Sequence, residues 1–261
     1  MILTLTPPIR GMILDLDGVL WKDDVPLNDT RAVFTKVREL GLKFVFATNN
    51  ATRNVDQYVE RLTRFGVSPK PWQVVNSGMA VAHLLAQRFP SGGPVYLLGG
   101  DGVRTALKEK GFYHSEHDAL AVVSSMDRSL DYAKLSKATL LIRSGIPFYG
   151  TNPDRTFPTP QGLVPGAGAI LALLETASDV KPILGGKPSP AMMDLAMQRL
   201  GTSPQETLAI GDRLETDVLG GMNAGCRTAL VLSGVATLQD LERWSPKPDL
   251  VAQNLAQLVG L

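Results

Sequence analysis

Four short and almost unbroken apolar runs, Met12–Leu16, Lys43–Ala47, Thr207–Ile210 and Thr228–Leu232, limit what this chain can fold into. A strand wet on one face alternates apolar with polar residues, so a run apolar throughout has to be covered on both faces. Segments of helical period lie between these runs. The pattern is one of repeated strand–helix units, which predicts an α/β fold with a mostly parallel sheet. Helix ends are legible too. Asn28 or Asp29 is placed to cap RAVFTKVREL, with Gly41 as its stop, and Asn54 precedes VDQYVERLTRF, with Gly66 after it.

From about Ala80 to Val180 the pattern restarts, with strands PVYLLG, ALAVVSS and IPFYG alternating with helices VRTALKEKG and DYAKLSKATLLIRSG. Polar strand ends of catalytic character lie both before and after this segment. It therefore reads as a smaller α/β unit inserted into a larger one, with residues 1–79 and 181–261 forming the core and 80–180 the insertion. A chain of 261 residues is long enough for both. GTNPDRTFPTPQGLVPGAG, Gly150 to Gly168, carries four prolines and is expected to be a loop or a domain junction.

The net charge of +1 gives no electrostatic reason to expect nucleic acid or an anionic membrane as a partner. Any binding of phosphate has to be local. A single cysteine, Cys226, rules out an internal disulfide and every multi-cysteine zinc arrangement, and suits a reducing compartment. No run approaches the roughly 18 apolar residues of a membrane span, and MILTLTPPIRG has no signal-peptide character. The expectation is a soluble, cytoplasmic protein.

Four polar clusters sit where a strand ends or a helix begins, which is where open parallel sheets bind ligands. They are Asp15-Leu16-Asp17-Gly18-Val19, Ala47-Thr48-Asn49-Asn50-Ala51-Thr52, Gly185-Gly186-Lys187-Pro188-Ser189-Pro190 and Gly211-Asp212-Arg213-Leu214-Glu215-Thr216-Asp217. In the first, two carboxylates lie two residues apart, and on a regular strand they would share a face. Either the backbone turns between them, as Gly18 permits, or a cation lies nearby. Together the clusters supply carboxylates, a hydroxyl, amides and one lysine, the groups that phosphoryl transfer with Mg²⁺ requires. GGKPSP fails the Walker A pattern because proline follows the lysine, so a nucleoside-triphosphatase loses its main support.

DLDGV, TNN, GGKPSP and GDRLETD, in this order with a long insertion between the second and third, resemble the four motifs of the haloacid dehalogenase superfamily of phosphatases. TNPD and GDRLETDVLGGMNAGC are similar to its NagD-like branch, type IIA, which includes 4-nitrophenyl, phosphoglycolate and pyridoxal phosphatases. The resemblance implies a Rossmann-like core with a parallel sheet plus an inserted α/β cap domain. It implies that Asp15 is the nucleophile, Asp17 the general acid and base, Thr48 and Asn49 the holders of the phosphoryl group, and Lys187 its counter-charge. Mg²⁺ would be held by Asp15, by the backbone carbonyl of Asp17 and by Asp212, with Asp217 as an outer partner and Glu215 a weaker candidate. Asn50, Arg53, Asn152 and Asp154 are expected near the substrate, and Arg155, Thr156 and Phe157 lie in the same irregular stretch. The implied substrate is a small phosphorylated metabolite, hydrolysed through an aspartyl phosphate. A homodimer is compatible with this reading, since members of the branch pair through the cap. A phosphotransferase or mutase using the same groups, and a binding domain without turnover, are the alternatives.

Other features have plainer readings. Thr48-Asn49-Asn50 is equally suited to capping a helix, and Asp217 to being a solvated or capping acid. His114 and His117, in YHSEHD, suit a solvated polar loop better than a metal site. Gly99-Gly100-Asp101-Gly102 misses the dinucleotide glycine spacing and suits a tight turn. Met192, Met193, Ala196, Met197 and Leu200 recur at helical spacing, as a buried face does. Trp21 is placed either to pack in the cleft or to touch substrate.

Overall fold

The computed structural model describes every residue except Asp24 and Pro160, together with the side chain of Pro158. Two compact units emerge. One comprises Met1–Thr48, Val55–Val75 and Lys187–Leu261, the other Asn49–Asn54 and Asn76–Gly186. The sequence suggested breaks after residues 79 and 180; in the structure 49–54, 76–79 and 181–186 also group with the second unit.

The first unit is built on a six-stranded sheet, in the order Leu250–Ala252, Arg227–Val231, Thr207–Gly211, Gly11–Leu14, Lys43–Thr48 and Val74–Asn76. The first five pair in parallel. Their apolar character has its physical reason here, since Met12, Leu14, Phe46, Leu208 and Ala229 are almost wholly buried in one large cluster. Helix Thr30–Glu39 covers part of it. Of the two possible caps Asp29 is the one used, its side chain accepting the Ala32 N–H at 3.0 Å. Phe34 from this helix packs at 4.9 Å against Phe44 and 5.6 Å against Phe46. Each aromatic removed from water in this way contributes about 2–3 kcal/mol.

Register determines where the polar strand ends come out. Leu14 lies opposite Ile210 on one side and Phe46 on the other. The residues that follow these three, including Asp15, Gly211 and Ala47, are therefore delivered to one edge of the sheet. The first strand is shorter than expected and ends at Leu14. Beyond it the chain turns tightly, with Gly18 at φ +82° and the Leu20 N–H donating to the Leu16 carbonyl at 2.9 Å. The two acids of DLD thus do not share a regular strand.

Helix Pro190–Leu200 starts immediately after the third polar cluster. Ser189 caps it, Pro190 opens it, and Gly201 at φ +65° ends it. Met192, Met193, Ala196, Met197 and Leu200 are all buried, as their spacing predicts. Cys226 is buried with its Sγ 3.5 Å from Met197 Sδ, and burial, with Asp194 nearby, pushes its thiol up to about 12.

The second unit has a five-stranded, wholly parallel sheet, ordered Ile183–Leu184, Phe148–Gly150, Val122–Ser124, Gly93–Leu98 and Phe112–His114. Val95 and Leu97 face a cluster with helices Ser77–Arg88 and Asp101–Glu109, while Tyr96 and Leu98 face one with Tyr132–Arg143 and Ala167–Ser178. Two segments differ from expectation. His114 belongs to an edge strand, and its Nδ1 accepts the Leu97 N–H at 3.1 Å, which apolar periodicity could not foretell. Gly150–Gly168 is not a plain loop: Thr156–Thr159 and Gly162–Pro165 pair as an antiparallel ribbon. An isolated two-stranded ribbon has two free edges, where missing proline N–H groups cost no ladder bond. Pro160, part of that expectation, lies outside the described residues.

Candidate functional site

The strand ends of the first unit bring three carboxylates together. Asp15, Asp212 and Asp217 each offer an oxygen, all lying within 4.8 Å of one another. Asp15 leaves the central strand with its N–H still bonded to the Ile210 carbonyl at 2.9 Å, and Asp212 follows the neighbouring strand directly. Asp217 stands one wide, π-type turn further on, Leu214–Val218. Space for the group is made by glycines. A Cβ on Gly18 or Gly234 would lie 2.3 or 2.0 Å from Asp212 Oδ2, and one on Gly211 would lie 2.1 Å from the Asp217 Cβ.

Lys187 lies between two of these acids. Its Nζ is 2.5 Å from Asp15 Oδ1, 2.6 Å from Asp217 Oδ1 and 3.0 Å from the Ala47 carbonyl. Only 3% of the residue is exposed. Burial alone would lower its proton affinity, but the carboxylates of Asp15 and Asp217 outweigh that and hold the ammonium above its ordinary value. The lysine is a fixed positive charge. Asn223 Nδ2, donating to the Pro188 carbonyl at 2.9 Å, steadies the loop that carries it.

Each acid has a distinct remaining capacity. Asp217 has a partner on each oxygen, Lys187 on Oδ1 at 2.6 Å and the Arg213 N–H on Oδ2 at 3.0 Å, so it helps to hold the lysine in place. Asp212 Oδ2 accepts the Val235 N–H at 2.7 Å, which leaves Oδ1 to serve another partner. Lysine takes Oδ1 of Asp15, which keeps its Oδ2. Three carboxylates against one ammonium leave two negative charges uncompensated. Burial, opposed by Lys187 and reinforced by the neighbouring acids, pushes Asp15 well above the usual carboxylate range, and burial with Asp217 pushes Asp212 up to about 6. An all-oxygen, electron-rich pocket of this kind fits a small hard divalent cation, which would displace the protons that such acids otherwise retain.

The other anticipated residues divide by unit. The Asp17 side chain is exposed and is held by Trp21, whose Nε1–H donates to Oδ1 at 2.8 Å. Thr48 ends its strand with its side chain buried, and Glu215 is exposed outside the acidic cluster. Asn49, Asn50, Arg53, Asn152 and Asp154 belong to the second unit. There Asn152 has a bracing role, donating to the Asn49 carbonyl at 2.7 Å and accepting the Asp154 N–H at 3.2 Å. Asn50 Oδ1 accepts from the Thr52 N–H and hydroxyl at 3.0 and 2.6 Å, an Asx turn. Arg53 is exposed. Phe157 instead lines a cavity of about 550 Å³ with Met126, Arg128 and Val164. Among the described residues His114 and His117 join no metal-ligating group.

Sequence reasoning missed Ser233-Gly234-Val235. Val235 orients Asp212, and Ser233 Oγ donates to the Gly18 carbonyl at 2.7 Å, tying two strand ends together. The signal was available, because a Ser-Gly pair directly follows an apolar run at the same end of the sheet.

Models of two related families match the chain: the haloacid dehalogenase-like hydrolases over residues 12–113 and a HAD-hydrolase-like family over 184–258. The acid sugar phosphatase of Staphylococcus aureus is 33% identical over 253 residues, spanning 96% of this chain and 97% of that one. The structure of NagD from Escherichia coli K-12 superposes with a TM-score of 0.89 at 30% identity, covering 95% of this chain and 98% of that one. A glycerol phosphate phosphatase from Mycobacterium tuberculosis, solved in complex with magnesium, gives 0.88 at 31% identity, covering 96% and 76%. No helix among the described residues is long and apolar enough to cross a membrane.

Proposed function

Because the chain belongs to the haloacid dehalogenase-like hydrolases, in their NagD-like branch, and is a phosphatase, we propose that it hydrolyses small phosphate monoesters through an aspartyl phosphate on Asp15, with Mg²⁺ as its cofactor. The observation that carries this reading is the meeting of Asp15, Asp212, Asp217 and Lys187 at one sheet edge. Asp15, Asp212 and the Asp17 carbonyl would hold the cation, which when bound supplies positive charge against the phosphoryl oxygens.

Asp15 attacks phosphorus, the bond from phosphorus to the ester oxygen breaks, and Asp17 gives that oxygen its proton. Lys187 offsets charge on both the carboxylate and the transferring group without needing to reorganise. In the second half, Asp17 takes a proton from water as the water attacks the phosphorus of the aspartyl phosphate. Inorganic phosphate leaves and Asp15 is regenerated. Thr48 and the backbone of Asn49 are assigned to hold the phosphoryl group, and the second unit to act as the cap that selects the leaving group, with Asn50, Arg53, Asn152 and Asp154 as its candidate contacts. Its likeness to an acid sugar phosphatase and a glycerol phosphate phosphatase favours sugar and glycerol phosphates as the first substrates to try.

The purified protein is expected to hydrolyse 4-nitrophenyl phosphate with Mg²⁺ and to lose that activity in EDTA. Asp15→Asn is expected to remove it altogether. Equal rates in wild type and Asp15→Asn would overturn the assignment.

A further inference from the structure

Asp17 is exposed, yet its carboxyl group does not swing freely. Trp21 Nε1–H donates to Oδ1 at 2.8 Å, and the Trp21 carbonyl accepts the Gly18 N–H at 2.7 Å, so the indole is tied both to the side chain of Asp17 and to the turn beside it. Trp21 is itself fully buried. The Arg61 guanidinium lies over its ring, 4.3 Å from the centroid, and the Phe65 ring is 5.5 Å away. Arg61, only 7% exposed, also donates through Nη2 to the Asp23 carbonyl, directly after Trp21–Lys22, the strand that pairs antiparallel with Val25–Pro26. A buried guanidinium on an indole face is a stiff support. This chain of contacts, Arg61 to Trp21 to Asp17, lies wholly in the first unit and runs from the core cluster that holds Trp21 out to an exposed acid.

We propose that Trp21 is a positioning residue that fixes the rotamer of the acid–base Asp17 through its indole N–H, with Arg61 clamping the ring. The indole nitrogen only donates. Oδ1 is therefore occupied as an acceptor, and the proton passed to the leaving oxygen sits on Oδ2. The inference rests on the phosphatase reading above, with Asp17 as the group that protonates the departing oxygen.

The test compares Trp21→Phe with wild type on two aryl esters of similar shape, 4-nitrophenyl phosphate and phenyl phosphate. Phenol is the poorer leaving group and needs the proton more. Trp21→Phe is expected to lower kcat/KM for phenyl phosphate about tenfold, and for 4-nitrophenyl phosphate by less than about threefold, with KM little changed. In an Asp17→Ala background the same substitution is expected to have no further effect on either ester. Arg61→Met, which leaves the indole in place, is expected to give the same leaving-group signature more weakly, and it serves if Trp21→Phe does not fold. Equal losses on both esters, or additive losses in the Asp17→Ala background, would overturn the positioning role. If wild type hydrolysed neither ester, the phosphatase reading would fail instead.

Discussion

Lys187 is the residue on which the site's electrostatics turn. It lies within 2.6 Å of carboxylate oxygens of Asp15 and of the buried Asp217, and supplies the only cationic side chain that the described contacts bring to them. Breaking a buried ion pair from one side leaves the other charge desolvated, at roughly 3 kcal/mol. Lys187→Met is therefore expected to lower the melting temperature by about 10 °C in the absence of metal. It is also expected to lower kcat at least about 100-fold, since it removes a preorganised charge at the phosphoryl group. Thermal melts and steady-state assays on the same preparation check both. An unchanged melting temperature with kcat within a few-fold of wild type would show that the lysine neither holds the acids nor serves the reaction.

At the level of elements, the strands were legible because burial on both faces leaves an unbroken apolar run, as Val95 to Leu98 shows by alternating between two clusters. Caps and stops such as the Asn28-Asp29 pair and Gly41 were legible because their chemistry is local. Less local features were not. The edge strand ending at His114 is three residues long and rests on parallel pairing with Gly93–Val95, joined by a ring nitrogen that meets the Leu97 N–H, and the ribbon in Gly150–Gly168 rests on pairing that prolines disguise. In the site, the motif acids and Lys187 could be picked out because each ends a strand or opens a helix. The indole support from Trp21 could not, since it comes from a side-chain group with no periodic signature, and Ser233 and Val235 left only the weaker signal of a Ser-Gly pair after an apolar run. Gly18 illustrates the difference. Its turn was legible from the residue type, but the reason no Cβ is tolerated there is Asp212, almost two hundred positions away.

Over the whole molecule, the acidic cluster links folding to pH and metal. Without a cation, Asp15 and Asp212 release their protons at higher pH in the folded protein than in the unfolded chain, where the ordinary value is 3.8. The folded state then binds more protons than the unfolded one, so this cluster's contribution to stability falls as pH rises from about 4 through the folded value of about 6 for Asp212. Bound as proposed, Mg²⁺ would replace those protons. Its effect on the melting temperature is expected to be small near pH 5 and larger, by about 3 °C or more, near pH 7.5. A shift independent of pH would mean that the cation binds away from these acids.

Covalent phosphorylation of Asp15 is read most directly by borohydride trapping. Enzyme turning over substrate with Mg²⁺ is quenched in acid, reduced and digested, and the peptide containing Asp15 is read by mass spectrometry. Homoserine at position 15, appearing only when substrate and Mg²⁺ are both present, is the expected result. Continued hydrolysis with Asp15 unmodified, or homoserine at another acid, would contradict it.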